Sequence, residues 1–333
     1  MNTIKKSLIR SLITPVFRRV LSSVSPPTAA EIIAFSAPPN VMRDKRFFSI
    51  WEKLGYHVTP VHFLEPIPPY KELLEATKRS NRTSWLSTWS NEILLPMLDI
   101  FAPYKAEYET FPETITSVTN QYHKANGYFH TIDACVLHSM IRHFKPKRII
   151  EIGSGNSTYV SAQACLLNQR ESGREVHLTA IEPFPNEILK QGFAGLSELI
   201  VERVQTLPHS MFEMLEENDI LFVDSTHVLR TGGDVQYIYL EILPRLRKGV
   251  LVHIHDIFLP DEYPSEWMLD SHVFLTEQYL LQAFLLFNSA YEVIWATHNM
   301  LTQHKELVES TLDKATRIDG HAYPSSFWMR KTQ

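Results

Sequence analysis

Apolar and polar positions change their rhythm near residue 120. From there on, short β-branched apolar runs alternate with longer stretches of helical spacing. The pattern predicts strands over 148–152, 176–181, 199–204, 220–223 and 250–254, and a closing antiparallel pair over 293–297 and 326–329. Between them it predicts helices over 133–144, 157–168, 186–196, 210–216 and 234–243, and a mostly helical 267–287. Strands that alternate with helices imply an α/β fold: a Rossmann-like, doubly wound, seven-stranded sheet, mostly parallel with the last strand antiparallel. Ligands of such sheets lie at the carboxyl ends of the strands.

Upstream the pattern is irregular. Residues 25–70 hold Pro26, Pro27, Pro38, Pro39, Pro60, Pro66, Pro68 and Pro69. Between these breakers a helix is expected over 47–54 and a short strand over 56–63. Residues 70–110 read as helical, with Trp85, Trp89, Ile93, Leu94, Met97 and Ile100 on one face. Residues 1–24 form a basic amphipathic leader without an acidic side chain, in which Lys5, Lys6, Arg10, Arg18 and Arg19 accompany Ile4, Leu8, Leu12, Val16 and Leu21. Two readings stand: a membrane-surface or transit segment, and a frayed leader or helix packed on the body. The expected organisation is leader 1–24, a Pro-rich and helical extension 25–119, and a catalytic domain 120–333.

Composition narrows the classes. A net charge of −5 over 333 residues gives no global case for nucleic acid. Cys135 and Cys165 lie far apart, which suits buried thiols in a reducing, cytoplasmic compartment, with membrane association through 1–24 as the variant. No apolar run approaches the roughly 20 residues that cross a bilayer.

The chemistry gathers just past the predicted strands. The first runs into Glu151-Ile152-Gly153-Ser154-Gly155, where glycines let a ligand approach bare backbone and the next helix offers unpaired N–H groups. The second ends at Glu182, suited to accept hydrogen bonds from ribose hydroxyls. The fourth delivers Asp224, with His227 three residues on, and the fifth delivers His255 and Asp256. His253 shares a strand face with His255 but sits deeper, as a hydrogen-bonded core residue. Asn126, His130 and Asp133 border the same end, although helix capping by Thr131 or Asp133 explains them nearly as well.

Together, the Glu151–Gly155 turn, Ile181-Glu182-Pro183, residues 219–228 and residues 248–260 resemble the class I S-adenosylmethionine-dependent methyltransferases. Within them the chain is most similar to the methyltransferase-24 group of small-molecule O-methyltransferases, over roughly residues 120–330. The resemblance implies that Glu151, Gly153, Ser154, Gly155 and Glu182 bind the cofactor, S-adenosyl-L-methionine, with Glu182 on the ribose. Adenine would lie near residues 206–209. Catechol-type relatives carry an Asp after strand four and an Asp-Asn pair after strand five; here these positions are Asp224, His255 and Asp256. That set suits a divalent metal such as Mg²⁺, Mn²⁺ or Fe²⁺, while helix capping by the two aspartates is the alternative. His227 falls where those relatives place a catalytic lysine. A pKa of about 6.5 would leave it neutral enough to take a hydroxyl proton, with a surface-loop histidine as the plain alternative. Expected catalytic residues are thus His227, His255 and Asp224, acting on a small-molecule or sugar hydroxyl. Trp85, Trp89, Tyr104 and Tyr108 are candidates to stack on that acceptor, with core packing as their plainer job. The rival reading is a non-catalytic or membrane-associated adapter that keeps the fold. Partners beyond the acceptor are peripheral membrane contact through 1–24 and self-association into a homo-oligomer.

Overall fold

The computed structural model describes residues 57–77, 91–314 and 323–333, with short stretches at 19, 23–28, 31, 49, 51–53 and 55. Trp85, Trp89 and nearly all of the basic leader lie outside the described residues. The chain forms two compact units, Met1–Ala76 and Thr77–Gln333. In the first, residues 57–63 form no strand, contrary to the alternating pattern. Pro60 has no N–H to donate, and an isolated short strand leaves its backbone groups without partners. Helix α1 (Tyr70–Thr77) follows.

From Asn91 the described residues of the second unit form three short helices, α2 (Asn91–Leu94), α3 (Pro96–Phe101) and α4 (Lys105–Tyr108). Leu94, Met97, Leu98 and Phe101 are buried, and Phe101 meets Trp295 edge-on with centroids 5.0 Å apart. These helices therefore pack into the same core as the sheet. Glu107 anchors them by accepting from Arg142 Nε at 2.8 Å and pairing with His138 Nε2 at 2.7 Å, both on α5 (Thr131–Phe144).

Seven strands follow in the order β3-β2-β1-β4-β5-β7-β6. They are β1 (Arg148–Ile152), β2 (His177–Ile181), β3 (Glu198–Ile200), β4 (Ile220–Val223), β5 (Leu251–Ile254), β6 (Tyr291–Ala296) and β7 (Phe327–Lys331). Neighbours among the first five run parallel, and β7 is antiparallel to both β5 and β6. The central strands are apolar almost throughout because helices cover both faces, as a doubly wound sheet requires. Cys135 and Cys165 are free and buried. No helix among the described residues is long and apolar enough to cross a membrane.

Helix α6 (Asn156–Ser172) starts where the Gly155 N–H donates to Thr158 Oγ1 at 2.9 Å. It stops at Gly173, whose φ of +69° turns the chain away. The expected 186–196 helix shortens to α7 (Glu187–Gln191), ended by Gly192 at φ +69°. The third strand stops at Ile200 and is followed by a tight turn over Val204–Thr206. After α8 (Ser210–Glu213), α9 (Asp234–Tyr237) widens into a π-helical turn, Ile238–Ile242, just before Pro244, which has no N–H to continue an α-helical ladder.

The largest difference lies in 267–287. It forms two helices, α10 (Ser265–Leu269) and α11 (Glu277–Leu285), with residues 270–276 irregular between them. There His272 takes φ +52° and the Val273 N–H donates to Trp267 O at 2.8 Å. The apolar residues that suggested one helix, Val273 and Leu275 among them, instead line a pocket. Helix α12 (Thr297–Thr311) was not expected from its polar sequence, and it bends at His304.

Candidate active site

Ile152, Ile181, Val223 and Ile254 lie side by side at the carboxyl edge of the sheet. The ladder runs one residue further. Gly153 N–H donates to Ile181 O (3.0 Å), Asp224 N–H to Ile152 O (2.8 Å), Glu182 N–H to Ile200 O (3.0 Å) and His255 N–H to Val223 O (2.9 Å). Strand register thus brings Gly153, Glu182, Asp224 and His255 to one rim.

Gly153 sits at φ +81°, and a Cβ there would lie 1.7 Å from the carbonyl oxygen of Asp224. At Gly155 an added Cβ would meet nothing within 4 Å, so that glycine faces open space. Glu182 braces the turn: Oε2 accepts from the Ser154 N–H at 3.2 Å and Oε1 from the Phe184 N–H at 2.8 Å. Glu151 is fully buried beneath the turn and accepts from the Ser157 and Thr158 hydroxyls of α6. Burial pushes its carboxyl up to about 8 despite those two bonds, helped by the charges of Asp224 and Glu182.

Beyond β4 and β5 lies a cluster of carboxyls and imidazoles. His227 Nε2 is 3.0 Å from Asp224 Oδ1 and 3.5 Å from Asp256 Oδ2, and its Nδ1 is 2.7 Å from Glu277 Oε2. His255 Nδ1 lies 3.4 Å from Asp256 Oδ1 and 3.8 Å from Asp224 Oδ1, while its Nε2 faces Asp133 Oδ2 at 3.4 Å. Asp224, His227 and Asp256 each offer one ligand atom within 4.8 Å of the others. The three side chains whose donor atoms converge therefore include His227, which the expected Asp224, His255 and Asp256 set left out, while His255 lies beside them.

Several plain alternatives fall away. His227 is only 6% exposed, so it is no surface-loop histidine. The helices after β4 and β5 are capped by Gly233 and Pro264, not by Asp224 or Asp256. Asp133 caps nothing either; His130 caps α5 through its ring, and Asp133 instead accepts from the Ser325 and Ser326 N–H groups at 2.8 and 3.0 Å. His253 is the buried core histidine expected, paired with Ser326 Oγ at 2.9 Å and stacked on Phe222.

One expectation is reversed. Burial disfavours the His227 imidazolium, but hydrogen bonds to Asp224 and Glu277 and the Asp256 charge outweigh it, and its pKa rises well above 6.5. His255 behaves alike: burial works against the cation, and Asp224, Asp256 and Asp133 overcome it. The counterpart is Asp256, where burial is outweighed by His255 and His227 and the carboxyl falls to about 2. The carboxylates thus favour the protonated form of both imidazoles, against the neutral form that their ordinary pKa suggested.

A pocket of about 650 Å³ opens over this cluster. His227 and Asp256 reach it from the sheet, and Asn126, Tyr128, Trp267, Val273, Leu275 and Tyr323 are among its other walls. Asn126 shapes one wall by accepting from the N–H groups of Tyr128 and Phe129 at 2.9 and 2.8 Å. Tyr108 and Tyr104 pack on the core, the alternative reading of these aromatics: Tyr108 is buried with its hydroxyl donating to Thr311 O, and Tyr104 lies under Arg142. Glu277, Trp267 and Tyr323 were missed. Each sits inside or beside a stretch whose helical or loop pattern carried no chemical signal.

A doubly wound sheet with a glycine turn after β1, an acid after β2 and a polar cluster after β4 and β5 defines a nucleotide-type cofactor fold. Residues 150–257 match the family described as a methyltransferase domain. A protein of Archaeoglobus fulgidus, described as uncharacterized, is 33% identical over 184 residues, covering 52% of this chain and 80% of the relative. The SAH-bound methyltransferase PaMTH1 of Podospora anserina is similar at 17% identity, over 71% of this chain and 88% of that one, with a TM-score of 0.37. An O-methyltransferase from Bacillus cereus in complex with SAH shows 12% identity over 74% and 97%, with a TM-score of 0.33. Residues 150–257 are thus the methyltransferase domain of a class I S-adenosylmethionine-dependent methyltransferase.

Proposed function

We propose that this methyltransferase transfers the methyl group of S-adenosylmethionine to a hydroxyl of a small molecule or sugar. The observation that carries the reading is the pocket whose floor is His227 and Asp256, set one strand from the glycine turn. The cofactor would lie over Gly153, Ser154 and Gly155, with its ribose hydroxyls on Glu182, whose side chain already braces that turn. The sulfonium methyl is itself electrophilic. The protein has to hold acceptor oxygen, methyl carbon and sulfur in line, and such orientation is worth roughly 7–11 kcal/mol of barrier.

The acceptor pocket has aromatic walls in Tyr128, Trp267 and Tyr323, and among the described residues no lysine or arginine lines it. That favours an uncharged ring-bearing acceptor over a phosphorylated one. His227 Nε2 is the nitrogen that faces Asp224 and Asp256, and it is the group placed to take the acceptor proton. Because those carboxylates favour its protonated form, loss of their charge lowers its pKa and frees that nitrogen. The same three groups, Asp224, His227 and Asp256, fit a divalent cation by donor type, two carboxylates and an imidazole on one rim; with Nε2 on a cation, His227 is a ligand and not the base. When bound, such a cation would polarise the acceptor oxygen and stabilise its anion.

The test is a screen of cell extracts with a labelled methyl donor, run with and without excess chelator. A labelled O-methyl product supports the reading. Label on nitrogen or carbon alone would redirect it to another transferase class, and full activity in chelator would remove the cation.

A further inference from the structure

The first turn of α11 closes on His227 from behind. The Thr276 and Glu277 N–H groups donate to the His227 carbonyl at 2.9 and 3.1 Å, and the Leu229 N–H donates to Thr276 Oγ1 at 2.7 Å. Glu277 then reaches the same residue a second time, with Oε2 2.7 Å from His227 Nδ1. One residue thus grips both the backbone and the ring of its target across 50 positions of sequence. The grip is dry: Glu277 is 0% exposed and His227 is 6% exposed. His227 needs such a hold, because it adopts φ +57°, a left-handed conformation that a non-glycine residue rarely takes without support.

We infer that Glu277 is a positioning residue that keeps the His227 Nδ1 as a permanent hydrogen-bond donor, so that Nε2 is the nitrogen offered to the acceptor pocket. The inference rests on the proposed role of that pocket, but the geometry behind it does not depend on the acceptor. A carboxylate accepts and cannot donate, so its ring partner must carry the proton on the nitrogen that faces it. This fixes the ring against flipping and settles which nitrogen is available, whether Nε2 meets a hydroxyl proton or a metal ion. Carboxylates behind metal-bound or catalytic histidines serve the same purpose generally. Among the residues around His227, Asp224 and Asp256 lie on the Nε2 side. Glu277 holds the opposite nitrogen. Tyr239, pushed well above 10 by burial and then by Glu277, stays a neutral hydroxyl behind it.

The experiment uses the full chain labelled with ¹⁵N at histidine, without cofactor. A proton bridging Nδ1 and a buried carboxylate resonates far downfield and exchanges slowly with water. We expect one such proton correlated with an Nδ1 nitrogen, and its loss in His227→Asn assigns it. In Glu277→Gln it should move upfield and exchange about tenfold faster, the loss of a charge-assisted bond. Affinity for S-adenosylhomocysteine, measured by calorimetry, should stay within about twofold, since the side-chain partner of Glu277 is His227 and not the glycine turn or Glu182. A merely structural role would lower thermal stability and leave the proton where it was. The inference is overturned if Nδ1 of His227 carries no protected proton in the wild-type protein, or if Glu277→Gln leaves that proton unchanged. The wild-type spectrum decides the first even if the variant fails to fold. Failure of wild-type protein to bind S-adenosylhomocysteine would sink the proposed cofactor site alone and leave this result standing.

Discussion

Gly153 and Asp224 touch backbone to backbone: a Cβ on Gly153 would fall 1.7 Å from the Asp224 carbonyl oxygen. The turn after β1 is therefore glycine at this position because the end of β4 occupies the space a side chain would take. Gly155, two residues on, is open on its Cβ side. The two glycines of one motif answer to different constraints.

Gly153→Ala and Gly155→Ala should accordingly part company. The first forces backbone apart at a φ of +81° and should cost about 3 kcal/mol or more of stability. The second has room and an extended φ of 179°, outside the left-handed region, so stability should change by less than about 1 kcal/mol. If the cofactor lies over that turn, Gly155→Ala should still weaken its binding about tenfold or more. Urea denaturation and calorimetry with S-adenosylhomocysteine measure both; undiminished binding by Gly155→Ala would place the cofactor elsewhere.

Glu182 braces the Ser154 and Phe184 N–H groups and, on the proposed reading, the ribose. Glu182→Gln keeps one acceptor oxygen but loses the charge and the second acceptor. Cofactor affinity should fall by about 1.5–3 kcal/mol. Equal affinities in wild type and variant would remove the ribose assignment.

Glu151 and Glu107 should give pH dependences of opposite sign. Burial raises Glu151 to about 8, so the folded state holds a proton that the unfolded chain releases near 4.5. Stability should therefore fall as pH rises between those values, by at most about 1.4 kcal/mol per unit, and Glu151→Gln should abolish that slope. For Glu107, burial is outweighed by hydrogen bonds from His138 and Arg142, and the carboxyl drops to about 2. Its contribution is complete above 4.5 and is lost as pH falls towards 2. Solvent screening at this half-buried group should keep the loss in Glu107→Gln near 1 kcal/mol. Denaturant titrations across acid and neutral pH separate the two slopes.

Divalent cations should stabilise the folded chain through Asp224, His227 and Asp256. A ligand at about 100 times its dissociation constant adds about 2.7 kcal/mol, a shift of several degrees in melting temperature. Mn²⁺ should produce that shift in the wild type and not in Asp256→Asn. An equal shift in the variant would show that the ion binds elsewhere.

The strand ends are legible in the sequence. Glu151, Gly153, Glu182, Asp224, His255 and Asp256 each follow a run of apolar residues, and parallel register brings such positions to one edge. The rest was not. Residues 267–287 are apolar enough for one helix, but the left-handed His272 and the Val273 bond back to Trp267 break it and turn Trp267 and Val273 into pocket wall.

By itself, the sequence determined the period of each strand and helix and the order of the polar groups along the chain, because both depend on near neighbours. Only the tertiary structure decided which nitrogen of His227 faces which carboxylate and that its charge is held up rather than left to its ordinary pKa. Those outcomes depend on burial and on Glu277, which meets His227 only when α11 packs against the loop after β4. Distances of that kind are a property of packing, and no local pattern carries them.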